Sequence, residues 1–68
     1  MNATLKFIRS KYERAIPKEG LPIEFDRLPV IGKPFVFRTG NLSLVKKLRY
    51  KGSVIEITTK NSVYELLP

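Results

Sequence analysis

Four prolines interrupt one short stretch of this chain and restrict what that stretch can form. The segment "PKEGLPIEFDRLPVIGKP", residues 17–34, carries prolines at positions 17, 22, 29 and 34. Because proline lacks an amide hydrogen and fixes φ, this spacing excludes a helix and permits only a short edge strand. The prolines are separated by apolar residues that a linker would not need: Leu21, Ile23, Phe25, Leu28, Val30 and Ile31. We therefore expect an ordered wrap over the core, with a short strand at Ile23 to Phe25.

The residues before this stretch have a helical spacing. Leu5, Ile8, Tyr12 and Ala15 recur at steps of three and four, which places them on one face of a helix. Pro17 ends the pattern, since a residue before proline is biased away from the helical region. The sequence therefore predicts an N-terminal amphipathic helix over residues 1–16.

The residues after the prolines have the pattern of a β-meander. "PFVFRT" is rich in aromatic and β-branched residues, and Gly40-Asn41 is a turn signal. "SVIEITT" and "SVYELL" flank Lys60-Asn61, which predicts a tight hairpin in which asparagine tolerates positive φ. Residues 42–50 suit either a strand or one short helix, and the alternation of leucine with polar residues favours the strand.

Two-residue turns at Lys51-Gly52 and Lys60-Asn61 would set the strand register. Leu48 would then face Ile55, and Ile57 would lie between Lys46 and Tyr64. The core side of the sheet would collect Leu44, Lys46, Leu48, Ile55, Ile57, Tyr64 and Leu66. The solvent side would collect Lys47, Arg49, Glu56 and Glu65, where Lys47 relieves the repulsion between the two glutamates.

These elements predict one α+β domain spanning residues 1–68. It consists of the N-terminal amphipathic helix, the ordered proline-rich wrap and an antiparallel meander of three or four strands. In an alternative form the meander curls into a small barrel, which is similar in shape to SH3-like barrels. Sixty-eight residues leave no room for a second domain. A chain of this length buries only about 60% of the surface that its unfolded form exposes, so it folds with little margin of stability.

The composition removes most catalytic chemistry. The chain has no cysteine and no histidine, which excludes cysteine-based zinc sites, Ser-His and Cys-His pairs and the commonest general base. Its glycines form no phosphate loop. Glu24 and Asp26 have Arg27 beside them and no third acid nearby, so we interpret them as solvated charges and not as a metal site. We expect no enzyme activity, no cofactor, no metal and no small-molecule substrate.

The charge balance favours polyanionic partners. Thirteen basic and six acidic residues give a net charge of +7, with both ends of the chain basic and residues 17–34 neutral. No run approaches the roughly 20 apolar residues of a membrane span, and the first residues lack an apolar signal core. The sequence thus predicts a cytoplasmic protein with no membrane association.

Two clusters supply candidate binding residues. The predicted helix carries four cations against Glu13 alone, and the segment "LVKKLRYKGS" adds others. Phe7, at the flank of the apolar stripe, either stacks on a base or extends the core, and the core interpretation is favoured. The predicted nucleic-acid or partner site comprises Lys6, Phe7, Arg9, Lys11, Arg14, Arg49 and Lys51. The leading hypothesis is a small nucleic-acid-binding or nucleoprotein-associated module that uses phosphate contacts; the alternative is a protein-binding adaptor or inhibitor that docks on an acidic partner surface.

Overall fold

The computed structural model describes residues 1–10 and 20–68, and within these ranges the protein is all-β. Its strands are β1 (Asn2–Ser10), β2 (Leu21–Glu24), β3 (Pro34–Phe37), β4 (Gly40–Lys51), β5 (Val54–Thr59) and β6 (Ser62–Leu67). They form one antiparallel sheet in the order β2-β1-β6-β5-β4-β3, which curls into a nearly closed barrel. The predicted α+β class is therefore wrong, and only its small-barrel alternative agrees in part with the structure.

Strand β1 occupies most of the segment predicted to be a helix. Its inward side chains alternate in the period of a strand and pack on the core: Ala3, Leu5 and Phe7. After Phe7 the register with β6 shifts, because a β-bulge adds one residue at Ile8. Leu5 is buried whereas Ile8 is 39% exposed at the bulge, so the three-residue step between them, which suggested one face of a helix, does not place both side chains in the core. The rest of the predicted helix, including Tyr12 and Ala15, lies outside the described residues.

The proline-rich stretch supplies one edge of the sheet. Strand β2 pairs only with β1, as expected for a short edge strand containing Pro22. It covers residues 21–24, slightly earlier than predicted, and Ile23 and the following Phe25 are buried in the core. The prediction of a wrap over the core is only half right, because Leu28, Val30 and Ile31 are exposed.

Strands β3 to β6 form the predicted meander, with residues 42–50 inside strand β4. The β3–β4 turn is Arg38-Thr39, so the turn predicted at Gly40-Asn41 is wrong. The β5–β6 turn is Lys60-Asn61 as predicted, and it sets Ile57 opposite Tyr64. Asn61 does not have the positive φ that we expected of it, since no described residue other than glycine does.

The β4–β5 turn is displaced by one residue from its predicted position. Lys51 pairs with Val54, so the turn consists of Gly52-Ser53 and not of Lys51-Gly52. Gly52 has φ of 62°, as the two-residue hairpin turns that begin with glycine require. The shift places Leu48 opposite Ile57, where the sequence had predicted Lys46.

A second bulge lies in β4 and reverses the faces of the residues before it. The register shifts between Val45 and Lys47, so Lys46 is the extra residue. Val45 is fully buried, whereas Leu44 is 42% exposed and Lys46 is exposed. The core positions predicted for Leu44 and Lys46 are therefore wrong, because one inserted residue turns an inward side chain outward.

The core lies inside the barrel, and its most deeply buried side chains come from β1, β4, β5 and β6. Its buried hydrophobic cluster comprises Leu5, Ile23, Phe25, Phe35, Leu42, Val45, Ile57, Tyr64 and Leu66. Phe7 and Tyr64 pack edge to face with ring centroids 5.9 Å apart. Within the described ranges, no helix has the length and apolar character needed to cross a membrane.

The barrel is least complete at the seam between β2 and β3. There the Arg38 amide donates a hydrogen bond to the Glu24 carbonyl at 2.8 Å. The Arg38 guanidinium also lies 3.5 Å from a carboxylate oxygen of Glu24 and 3.9 Å from one of Asp26. One backbone bond and exposed ion pairs thus connect the two edge strands.

Candidate nucleic-acid interface

The outer face of strands β1, β6, β5 and β4 carries cations from both predicted clusters. Cross-strand pairing aligns one row across the four strands in the order Lys6, Glu65, Glu56 and Arg49. The same pairing aligns a second row in the order Arg9, Val63, Thr58 and Lys47. Neighbouring strands lie about 4.8 Å apart, so each row spans roughly 14 Å. We name this surface the basic face and define it by Lys6, Arg9, Lys47, Arg49 and Lys51.

The acidic residues of this region are engaged by one lysine. The Lys51 ammonium nitrogen lies 3.2 Å from Glu56 Oε2 and 3.4 Å from Glu65 Oε2. The two glutamates face each other across β5 and β6, so they would repel without a cation between them. Lys51 therefore has the structural task that the sequence had assigned to Lys47.

The other four cations of the basic face are exposed and form no ion pair with any described residue. Lys6, Arg9, Lys47 and Arg49 are exposed, and no carboxylate of the described residues lies within 4.0 Å of their charged groups. Lys47 and Arg49 lie two residues apart on β4, so their side chains share one face at a spacing of about 7 Å. These side chains are available to an external anion at little desolvation cost, since they remain hydrated in the unbound protein.

The basic face continues towards the β5–β6 turn. A cavity of about 300 Å³ lies beside Arg9 and is also lined by Lys60, Asn61 and Thr58. Two side-chain hydrogen bonds fix the turn. The Thr59 hydroxyl donates to the Ser62 carbonyl at 3.3 Å, and the Ser62 hydroxyl donates to Ser10 Oγ of β1 at 2.9 Å. Lys60 thus adds a sixth cation near one end of the face.

The predicted site residues divide into three groups. The structure brings Lys6 and Arg9 of the first cluster onto the same face as Arg49 and Lys51 of the second. Phe7 lies inside the barrel against Tyr64, which is the alternative that the sequence favoured. Lys11 and Arg14 lie outside the described residues.

Sequence reasoning did not select Lys47 and Lys60 as binding residues. Lys47 was assigned to Glu56 through a register that placed the β4–β5 turn one residue too early. In the structure Lys47 pairs with Thr58, and Arg49 takes the position opposite Glu56. The Gly52-Ser53 dipeptide, which suits a turn that begins with glycine, is the sequence signal that favours the observed register.

The described residues contain no cluster of three or more acidic side chains that could hold a metal ion. The basic face has the charge of an anion-binding surface. Comparisons of the chain with protein-family models, curated proteins and solved structures found no match, so its function has to be argued from its own residues.

Proposed function

We propose that this protein is a small nucleic-acid-binding module that contacts backbone phosphates with its basic face. The observation that supports this proposal most directly is a set of four exposed cations that pair with no carboxylate in the part of the chain that the structure describes. They surround two glutamates that Lys51 already engages. Lysine and arginine that neutralise phosphates release condensed counterions, which supplies most of the affinity in binding without sequence preference.

The residues between the cations favour phosphate contacts over base reading. Val63 and Thr58 separate Arg9 from Lys47 across the sheet, and neither side chain offers an aromatic surface on which a base could stack. Base-specific contacts need side chains that reach into a groove, whereas phosphate contacts need only exposed cations at the surface. The proposal is therefore binding to nucleic acid of any sequence, in keeping with the cytoplasmic, nucleoprotein-associated role expected from the composition.

Fluorescence anisotropy with labelled oligonucleotides of two unrelated sequences, measured at several salt concentrations, tests the proposal. Four phosphate contacts on duplex DNA would make log K fall with log salt at a slope of about −3.6. The double substitution Lys47→Gln/Arg49→Gln should reduce that slope by about two units and weaken binding equally for both sequences.

A matched variant distinguishes the effect of the basic face on binding from the effect of net charge. Arg27→Gln/Lys33→Gln removes the same two charges from the loop between β2 and β3, away from the basic face. We expect it to keep the wild-type slope. Equal losses in the two variants would contradict a defined face, and absence of binding even in low salt would exclude the nucleic-acid function. Salt-tolerant binding to an acidic protein, lost in Lys47→Gln/Arg49→Gln, would instead support the adaptor alternative.

A further inference from the structure

An apolar cleft lies on a different part of the surface from the basic face, beside the incomplete seam of the barrel. Its volume is about 380 Å³, and its lining includes every residue of β3 together with residues 25–30 of the preceding loop, but no residue of β4. It therefore follows the edge of β3 that β4 does not pair. Ligand pockets in proteins have volumes of about 300–1,000 Å³, so this cleft is large enough for a bound group.

The floor of the cleft is made of buried, packed rings, and its walls are exposed. Phe25 and Phe35 are buried and pack edge to face, with ring centroids 5.3 Å apart. Above them, Leu28, Val30 and Val36 are 47%, 55% and 65% exposed. Apolar side chains scattered singly over a surface are normal in soluble proteins, but several exposed ones grouped around one cleft indicate an interaction site.

The rim of the cleft is positively charged. Arg27, Lys33 and Arg38 line it together with Asp26, and Asp26 already lies beside Arg38 at 3.9 Å. No carboxylate of the described residues lies within ion-pair distance of Arg27 or Lys33. The unmatched charge at the rim is therefore complementary to a carboxylate placed next to an apolar group.

The backbone at the seam indicates what kind of molecule fits. Between β2 and β3 the described residues supply one backbone hydrogen bond, from the Arg38 amide to the Glu24 carbonyl. No other strand in residues 1–10 and 20–68 pairs with the outer edge of β3, so this edge can accept an added extended segment, although Pro34 has no amide hydrogen to contribute. An extended peptide uses both this edge and the apolar walls, whereas a small molecule uses only the walls.

We propose that the cleft binds an extended segment of a partner protein in which apolar side chains alternate with, or adjoin, carboxylates. The apolar side chains occupy the space above Phe25 and Phe35. The carboxylates lie against Arg27 and Lys33. This interaction uses none of the residues of the basic face and does not depend on the nucleic-acid proposal.

Selection of a displayed library of random dodecapeptides on the full chain tests this inference. The selection is carried out in about 0.3 M salt, which screens exposed charges and disfavours binding to the basic face by charge alone. We expect the enriched peptides to combine at least two apolar residues with a net negative charge. No enrichment, or enrichment of peptides with a net positive charge, would overturn the proposal.

The most enriched peptide is then labelled and its affinity is measured by anisotropy. Leu28→Ser/Val36→Thr should weaken binding by about tenfold, since it removes exposed apolar contacts equivalent to a little over one kcal/mol. Arg27→Gln/Lys33→Gln should weaken it by about fivefold, and the matched Lys47→Gln/Arg49→Gln should change it by less than about twofold.

These substitutions are at exposed positions, so thermal unfolding by circular dichroism should show that all three variants remain folded. A larger loss in Lys47→Gln/Arg49→Gln than in the cleft variants would place the peptide on the basic face and overturn the proposal. Octanoate serves as a small apolar acid for competition. If octanoate displaced the peptide and bound the cleft as tightly as the peptide does, the cleft would be a site for small amphiphiles and not for a protein segment.

Discussion

We expect the apolar residues of this barrel to differ in how much they contribute to the free energy of unfolding, because they differ in burial. Ile57 is fully buried, with Leu48 opposite it on β4 and Tyr64 opposite it on β6. Leu44, on the neighbouring strand β4, has a similar apolar side chain, yet the bulge at Lys46 leaves it 42% exposed. The two residues therefore test the face assignment directly.

Truncation of Ile57 to alanine should reduce the free energy of unfolding by about 2–5 kcal/mol, because it leaves a cavity among fixed neighbours. A chain of this size has a total stability of about 3–10 kcal/mol, so Ile57→Val, with an expected loss of about 1 kcal/mol, provides a milder variant. Urea unfolding followed by circular dichroism measures both. Leu44→Ala is the control and should lose less than about 1 kcal/mol; a larger loss than for Ile57→Ala would show that the bulge is misplaced.

At the scale of elements, strand pairing determines which charges meet. The β5–β6 register places Glu56 opposite Glu65, and the β4–β5 register brings Lys51 to within 3.4 Å of both. If the β4–β5 turn lay one residue earlier, each residue of β4 would pair with a β5 residue two positions away from its observed partner. Side chains two positions apart in a strand share a face, so the β4 side chains would keep their faces and change only their cross-strand neighbours. This explains why the face of Lys47 was predicted correctly and its partner was not.

Lys51→Ala should destabilise the protein at low salt by about 0.5–1 kcal/mol, because the two glutamates would then face each other without a cation. Raising the salt concentration should remove most of this loss, since exposed charges are screened. Thermal melts in about 20 mM and 500 mM salt measure the difference, and Lys47→Ala is the control that should show little change in either. A loss that persisted in high salt would mean that Lys51 stabilises the sheet through packing and not through charge.

At the scale of the whole molecule, the barrel closes everywhere except at the β2–β3 seam. Among the described strands, β5 and β6 have neighbours on both sides, whereas β2 and β3 are each paired on one side. Local opening in proteins begins where few backbone bonds and buried contacts hold an element. The seam is thus the most weakly held junction among the described strands, and the apolar cleft lies beside it.

Hydrogen exchange followed by NMR should show this difference. Amides within β5 and β6, such as those of Ile57 and Tyr64, should exchange through global unfolding and be the most protected. The Arg38 amide, which bridges the seam to Glu24, should exchange at least about tenfold faster. Equal protection at both places would indicate a fully closed barrel with no weak seam.

The sequence by itself determined the features that depend on neighbouring residues. The alternation of apolar and polar residues and the turn at Lys60-Asn61 predicted the meander and the β5–β6 register, including Ile57 opposite Tyr64. Regularly spaced prolines predicted a short edge strand near Ile23. The charge balance predicted exposed cations, which have to stay in water because unpaired charges are costly to bury.

Only the tertiary structure decided what depends on distant pairing. The spacing of Leu5 and Ile8 satisfies a helix as well as a bulged strand, and pairing with β6, more than 50 residues away in the chain, selects the strand. The same pairing brings Lys6 and Arg9 onto one face with Lys47 and Arg49. A bulge inserts a single residue, which local patterns do not resolve. Burial across the barrel does resolve it, because without the bulge at Lys46 the buried side chain of Val45 would face outward.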